Sequence, residues 1–402
     1  MYNRSILNNF EAFIKEWSSD NEYVLFGASK ECVQFIRSMD FLLGEGKLKI
    51  KYIVDHEPNS TTADNINEIS SYYHQSKSVN NSRKDINVIH IDEFEGNDKV
   101  IVTTDEFRAD YISFLNQRNI EWTLYKNIAA IWPYVYESKV HIFQTDIMVT
   151  ERCNLNCSFC NMFIPHYESP KHKSLETIIS DVDSYFKIVD YVSIFHLVGG
   201  EPFLHPQMYD IIKYILDNYQ SKIDKFIITT NGTALPKDNI IELLKSNDII
   251  LSISNYTDKL ELLKGKFDRV TKTYKDNRIK HYIRNEIEWN DFGDLRIKKN
   301  MSEAELIEHF DNCTAPFRGL DNGKFYYCHL NTSAVLTKLF PLNENDFVEM
   351  GSISKEDLLK FDMGNTKLGY VTFCDNCNGC NTQIKVPVSY EHQGIRKYES
   401  NN

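Results

Sequence analysis

The stretch Glu151-Arg152-Cys153-Asn154-Leu155-Asn156-Cys157-Ser158-Phe159-Cys160 puts three thiols in one short loop, spaced C-x3-C-x2-C. No fourth cysteine or histidine stands close enough to close a compact tetrahedral site; His166 follows a proline in a segment of different character. Structural zinc usually takes four ligands as two C-x2-4-C pairs, so a lone triplet fits it poorly. Thiolates on a tight loop suit an iron–sulfur cluster, and three of them hold only three of four irons. The fourth iron is then open to a ligand that is not protein.

The apolar run His141 to Val149 reads as a strand that delivers the chain into this loop. A helical pattern over 174–189 follows, then a strand from Tyr191 to Val198 that runs into Gly199-Gly200-Glu201-Pro202. A helix at 207–219 leads to a strand at 225–229, which ends at Thr229-Thr230-Asn231-Gly232. A helix at 237–246, a strand at 249–254 and a strand from Ile279 to Arg284 complete the order. Repeated β/α units predict most of a parallel β/α barrel over 136–305, with its site at the strand C-terminal ends. Gly199 and Gly200 let a ligand approach the backbone, and Glu201 offers an acceptor for an ammonium group; a plain turn would use the same residues. Ser252 and Ser254 share one face of their strand.

Cysteine loop, Gly-Gly-Glu-Pro and Thr-Asn-Gly, in that order across roughly 140–300, resemble the radical S-adenosylmethionine (radical SAM) enzymes. The resemblance implies the partial (β/α)6 form of the barrel. It also implies a [4Fe–4S] cluster on Cys153, Cys157 and Cys160, with the amino and carboxylate groups of SAM on the open iron. By the same resemblance Gly199, Gly200, Glu201 and Pro202 grip the methionyl amino group, and Thr230 and Asn231 serve its ribose or methionyl part. Ser252 or Ser254 would hold the carboxylate or ribose, Phe159 would lie near adenine, and Arg284 would clamp that carboxylate or a substrate anion. The chemistry implied is one-electron cleavage of SAM and hydrogen abstraction by a 5′-deoxyadenosyl radical, with electrons from a flavodoxin or ferredoxin.

Five further cysteines lie in 306–402: Cys313 and Cys328, with Gly323 as G-x4-C, then Cys374, Cys377 and Cys380 as C-x2-C-x2-C. This resembles the SPASM and twitch extensions, which hold auxiliary iron–sulfur clusters. Seven cysteines make a full SPASM domain, so five point to one auxiliary [4Fe–4S] cluster. Its ligands would be Cys313, Cys328, Cys374 and Cys377, or a set using Cys377 and Cys380; a four-cysteine zinc is the bland alternative. A spare Cys380 would be a candidate hydrogen donor to substrate. His166 and Tyr167, just past the loop, are candidate groups at the barrel mouth, as are Glu286, Trp289 and Asp291 beyond the last strand.

Residues 1–135 alternate helix and strand and predict a Rossmann-like parallel sheet. Strands are expected at Tyr23–Phe26, Ile50–Val54, Val88–Ile91, Val100–Thr103 and Trp122–Tyr125, an exposed loop at 59–85, and a packed connector from Asn127 to Ser138. Gly27 and Asp55 hint at dinucleotide binding, but the G-x-G-x-x-G pattern is missing and the acid comes 28 residues later. A non-catalytic or substrate-handling module is the better reading.

Composition bounds the rest. Acidic residues outnumber basic ones, 57 to 45, which disfavours a nucleic-acid partner. No apolar run reaches membrane-spanning length and Met1 to Asn9 lacks signal-peptide character, so the expected compartment is the cytoplasm. Nine cysteines, eight of them grouped near cluster motifs, agree with that. The auxiliary cluster as an electron sink and the Rossmann-like module point to oxidation or epimerisation of a sugar, aminocyclitol or nucleotide-sugar. A maturase acting on a ribosomally made peptide is the alternative, and a non-catalytic iron–sulfur or zinc protein the remote one.

Overall fold

Two parallel sheets grow from the β-branched and aromatic runs of this chain. The computed structural model describes residues 6, 9–56, 86–104, 108–258, 260–313, 315 and 317–388. The chain divides into two units, Asn3–His141 and Ile142–Asn402.

The first unit runs α1 (Phe10–Glu16), β1 (Glu22–Phe26), α2 (Lys30–Leu43), β2 (Lys49–Asp55), β3 (Val88–His90), β4 (Val100–Val102), α3 (Arg108–Gln117), β5 (Trp122–Leu124) and α4 (Tyr125–Glu137). Its sheet order is β3-β2-β1-β4-β5, with every pair parallel. That is a doubly wound order. Tyr23, Val24, Leu25 and Phe26 are fully buried, as a central strand covered on both faces requires. The expected loop at 59–85 lies outside the described residues.

The stretch from Asn127 to Ser138, read as a connector, is helix α4 with Pro133 inside it. A proline there leaves the carbonyl four residues back without its N–H partner. That carbonyl belongs to Ala129, and His141 Nδ1 meets it at 2.9 Å. Burial of Trp132 and Ile131 anchors the helix despite the break.

The hinted dinucleotide pattern resolves into a local contact. Asp55 Oδ2 accepts the Ala28 N–H at 2.7 Å, so the acid ties down the loop after β1. Gly27, at φ +103°, would push a Cβ to 2.6 Å from Thr104 Cγ2; here glycine answers to packing between strand ends.

The second unit contains β6 (His141–Thr150), α5 (Leu175–Phe186), β7 (Tyr191–Gly199), α6 (Met208–Tyr219), β8 (Ile223–Thr230), α7 (Asp238–Ser246), β9 (Ile249–Asn255), α8 (Lys264–Asp276), β10 (His281–Asn285) and β11 (Glu288–Asn290). Then come α9 (Glu303–Asn312), β12 (Arg318–Asp321), β13 (Lys324–Tyr326), α10 (His329–Leu336), β14 (Phe347–Glu349), α11 (Lys355–Asp362) and β15 (Lys385–Pro387). The main sheet reads β10-β9-β8-β7-β6-β12-β13-β14, and β11 pairs antiparallel with β15. Helix α8 escapes composition-based reading because it is mostly charged; its buried Phe267, Val270 and Tyr274 still follow helical spacing.

The last hundred residues do not stand apart. Strand β12 pairs parallel with β6, Arg318 opposite Thr145 and Gly319 opposite Asp146, so the sixth parallel strand comes from the cysteine-rich segment. Its hairpin to β13 turns on Asn322 and Gly323, both at positive φ, the two-residue turn that Asn-Gly favours. Gly323 of the G-x4-C pattern is therefore a hairpin residue. Asp181 on α5 caps this turn, accepting the Gly323 N–H at 2.6 Å and the Asn322 N–H at 3.1 Å. Lys173 bridges Asp181 and Asp321 at 3.2 and 2.5 Å. Burial alone would lower the Lys173 pKa, but the two carboxylates reverse the effect and raise it.

Asp181→Ala leaves Lys173 short of one counter-charge and two turn amides without an acceptor. Removing one partner of a buried ion pair costs about 3 kcal/mol, and a drop of that size in unfolding free energy from urea titration is the expected result.

Candidate functional site

Two strand ends meet backbone to backbone. Gly200 N–H donates to Thr150 O and Glu201 N–H to Arg152 O, each at 2.8 Å. A Cβ on Gly199 would stand 2.4 Å from the Thr150 carbonyl oxygen, and one on Gly200 would stand 2.2 Å from that of Arg152. Neither contact can be relieved by a side-chain rotation. The two glycines are needed first for this docking, which holds the cysteine loop against β7.

Glu201 is fully buried and points inward. Its carboxylate accepts Thr230 Oγ1 at 2.9 Å, the Asn231 N–H at 2.8 Å and the Phe203 N–H at 3.2 Å. Burial raises its pKa to about 7, against the lowering effect of these donors. Asn231 Nδ2 reaches Asn154 Oδ1 at 2.8 Å and Cys153 Sγ at 3.7 Å, and Asn154 Nδ2 donates to Thr233 Oγ1 at 2.7 Å. Thus Glu-Pro and Thr-Asn-Gly form one hydrogen-bonded clamp on the cysteine loop.

All three loop cysteines line one cavity of about 530 Å³. Phe159, Gly199, Gly200, Thr230, Asn231, Ser254 and Arg284 line it too. Glu201, Pro202 and Ser252 do not, although each lies in a motif expected to face a ligand. Ser252, 2% exposed, sits in the sheet opposite Thr229 and Tyr282. Arg284 Nη2 donates to Ser254 Oγ at 2.8 Å and its Nε lies 3.4 Å from Glu286 Oε1.

Other candidates are corrected by the turn that follows the loop. Phe163 takes φ +54° and sends the next residues away from the cavity. His166 is not among the lining residues; it stands by Phe163 and Arg296, and burial followed by the Arg296 charge lowers its pKa. Tyr167 is buried with Met148 and Leu155, its hydroxyl 3.3 Å from Ser333 O. Burial raises its pKa well above the ordinary value, so it is a prop beneath the loop. Of the residues past the last strand, Glu286 and Trp289 line the cavity and Asp291 does not; Asp291 accepts the Gly293 N–H instead.

Sequence reading missed most of the cavity floor: Gln144, Asp146, His196 and His329 went unnamed, and Thr229 was read only as part of the Thr-Thr-Asn-Gly motif. For Gln144, Asp146 and His196 the signal was available only as polar residues at alternate positions of otherwise apolar barrel strands, which is where an inward face would carry them; His329, on α10, carried no such signal.

The five C-terminal cysteines surround a second, smaller cavity between α9 and α10. Cys313 and Cys380 are hydrogen-bonded to each other, so Cys380 faces the other cysteines and is absent from the lining of the large cavity. The hydrogen-donor role expected of it is withdrawn on that ground. The Gly379 N–H points at Cys377 Sγ at 3.3 Å, and burial raises the Cys328 thiol to about 11. Among the described residues no three His, Cys, Asp or Glu side chains converge as ligands of a single metal ion.

With this geometry in view, residues 147–285 match the model of the Radical SAM superfamily. That segment belongs to the Radical SAM superfamily. The chain is 31% identical over 140 residues to the antilisterial bacteriocin subtilosin biosynthesis protein AlbA of Bacillus subtilis, covering 32% of this chain and 28% of AlbA. It is 26% identical over 261 residues to a GTP 3′,8-cyclase of Clostridium acetobutylicum, covering 58% of this chain and 75% of that one. Among solved structures, BtrN in complex with AdoMet and 2-DOIA is 14% identical with a TM-score of 0.40, over 60% of this chain and 95% of BtrN. Against AlbA the chain spans less than a third of the relative's length. No helix among the described residues is long and apolar enough to cross a membrane.

Gly200→Ala forces the Arg152 carbonyl away and displaces the loop that carries Cys153. Overpacking of this kind costs about 1–3 kcal/mol. Iron bound after anaerobic reconstitution, measured with labile sulfide, should fall toward about half the wild-type value if the loop is one of two cluster sites.

Proposed function

We propose that this protein oxidises a hydroxyl- or amine-bearing small molecule, an aminocyclitol or sugar, by radical SAM chemistry. When bound, a [4Fe–4S] cluster carrying SAM supplies a 5′-deoxyadenosyl radical that takes a hydrogen atom from an unactivated C–H bond. The observation that carries this reading is the convergence of Cys153, Cys157 and Cys160 with the strand-end polar residues on one cavity. The donor set fits: three thiols of one loop, with the Leu155 N–H 3.4 Å and Asn231 Nδ2 3.7 Å from Cys153 Sγ. Gly199, Gly200 and Asn231 would meet the methionyl end of SAM, Arg284 its carboxylate, and Phe159 its adenine. The buried Glu201 would act by holding Thr230 and Asn231 in place.

Charge narrows the substrate. Among the described residues lining the cavity the permanent cation is Arg284, held by Glu286 and Ser254, while Asp146, Glu286 and Glu288 are acids. A nucleotide or nucleotide-sugar phosphate would have no free partner there. Neutral polyols and amines suit the lining better. The polar floor of Gln144, Asp146, His196 and Thr229 supplies the hydrogen bonds that such a ligand needs.

The second cysteine cavity favours oxidation. One auxiliary [4Fe–4S] cluster on Cys313, Cys328, Cys377 and either Cys374 or Cys380 would accept the electron that oxidation releases. Epimerisation needs a hydrogen donor at the substrate, and the thiols lining the large cavity among the described residues are the three loop cysteines. A flavodoxin or ferredoxin would deliver the initiating electron. Modification of a ribosomally made peptide is the second reading, favoured by the similarity to AlbA.

Anaerobic reconstitution should load about eight irons per chain, falling to about four in the Cys153→Ala/Cys157→Ala/Cys160→Ala variant. A fall from about four to none would remove the auxiliary cluster. Of Cys374→Ser and Cys380→Ser, the one that keeps its iron identifies the residue outside the ligand set. With reductant and SAM, aminocyclitols should raise 5′-deoxyadenosine formation while GTP should not; a response confined to a peptide would overturn the small-molecule reading.

A further inference from the structure

The floor of the large cavity carries a polar cluster that a radical-generating loop does not itself require. Gln144 and Asp146 lie two residues apart on β6, so both face the barrel interior. His196 stands beside them on β7, its Nδ1 3.3 Å from Asp146 Oδ1. Its Nε2 is 2.7 Å from Thr229 Oγ1 on β8. Gln144 Nε2 donates to Asp146 Oδ1 at 2.8 Å. From α10, His329 closes the cluster, its Nε2 3.1 Å from Met162 Sδ and 3.3 Å from Ser333 Oγ. Three adjacent strands thus hold one imidazole between a carboxylate and a hydroxyl, and all of these groups except Ser333 line the cavity.

Stability does not explain the arrangement. Buried ion pairs add little over apolar residues of similar volume, and an apolar floor would pack a barrel interior at least as well. Burial would raise the Asp146 pKa, yet His196 overcomes that effect and lowers it. A carboxylate kept ionised beside an imidazole is the arrangement that stabilises a proton arriving on the ring.

We propose that His196 is the proton acceptor of the oxidation, drawing the hydroxyl proton, by way of Thr229, from the substrate carbon that has lost its hydrogen atom. The inference rests on the function proposed above. The carbinol C–H bond breaks homolytically, and its hydrogen atom goes to the 5′-deoxyadenosyl radical. The remaining carbon radical loses its O–H proton to Thr229 Oγ1 as that hydroxyl passes its own proton to His196 Nε2, and Asp146 balances the imidazolium charge. The resulting ketyl radical anion would give one electron to an iron–sulfur cluster, when one is bound and oxidised, and close to C=O. One hydrogen atom, one proton and one electron leave the substrate, a two-electron oxidation. Thr229 is thus the relay, and Gln144 orients the carboxylate.

The test uses reconstituted full-length protein and 1-amino-1-deoxy-scyllo-inositol deuterated at its ring carbons. Wild type should move deuterium into 5′-deoxyadenosine and form the ketone. In His196→Gln, with iron loading unchanged, deuterium should still reach 5′-deoxyadenosine while ketone falls about 100-fold. Added imidazole should restore ketone to His196→Gly. Independently of turnover, the cyclitol should shift the 13Cε1 resonance of His196 in histidine-labelled wild-type protein, leaving that of His90 in the N-terminal unit unmoved.

Ketone at the wild-type rate in His196→Gln would overturn the assignment and leave the proposed function standing. So would a still His196 resonance in protein that makes the ketone. Absence of any cyclitol-dependent 5′-deoxyadenosine in wild type, with no resonance shift, would overturn both. The wild-type resonance measurement keeps the proposal falsifiable even if the variants fail to fold.

Discussion

The contact between the end of β6 and the turn after β7 is the constraint on which the site depends. Thr150 and Arg152 present their carbonyls to the Gly200 and Glu201 amides, at a separation that leaves no room for a Cβ at Gly199 or Gly200. Each such bond contributes only about 1 kcal/mol net, so their importance is geometric. They place the first cysteine of the loop against the neighbouring strand end, and Asn231 then reaches it from the next strand. Glu201 makes the clamp continuous by joining its own turn to Thr230 and Asn231. A motif that reads as a ligand grip is, in the first place, a device that orients a ligand-bearing loop.

The C-terminal segment belongs to the same construction. By adding β12 beside β6, it covers the flank of the strand that delivers the cysteine loop. It also brings His329, Leu330 and Phe317 to the cavity wall. The network of Lys173, Asp181 and Asp321 fixes this addition at a turn, where Asn322 and Gly323 expose backbone amides that need an acceptor. One wall of the large cavity and part of the small cysteine cavity therefore come from one helix, α10, so any charge held at one is close to the other through a few residues.

Electrostatics divides the cavity into regions with different tasks. The loop side is thiol-rich and buried, the rim carries Arg284 with Glu286, and the floor holds Asp146 against His196. Under the proposed function, the zwitterionic end of SAM would meet the rim and a neutral or cationic substrate would lie over the floor.

Much of this was legible in the chain itself. The C-x3-C-x2-C spacing, the alternation of β-branched strands with amphipathic helices, and the order of Gly-Gly-Glu-Pro and Thr-Asn-Gly are local signals, and each lies where the structure puts a strand, a helix or a strand end. Local signals do not say which way a side chain points after a turn. Phe163 at positive φ removed His166 and Tyr167 from the cavity, and no spacing rule marks that residue. Nor could residue order reveal that β12 would join β6, because a strand pairing between positions 145 and 318 depends on the edge that the barrel leaves open. The identity of the cysteine loop and the barrel was determined by sequence, since thiol spacing and hydrophobic period are properties of neighbours. The Asp146–His196 floor, the inward turn of Glu201 and the position of Cys380 opposite Cys313 were decided by tertiary structure alone, since only the closed sheet brings those distant residues together.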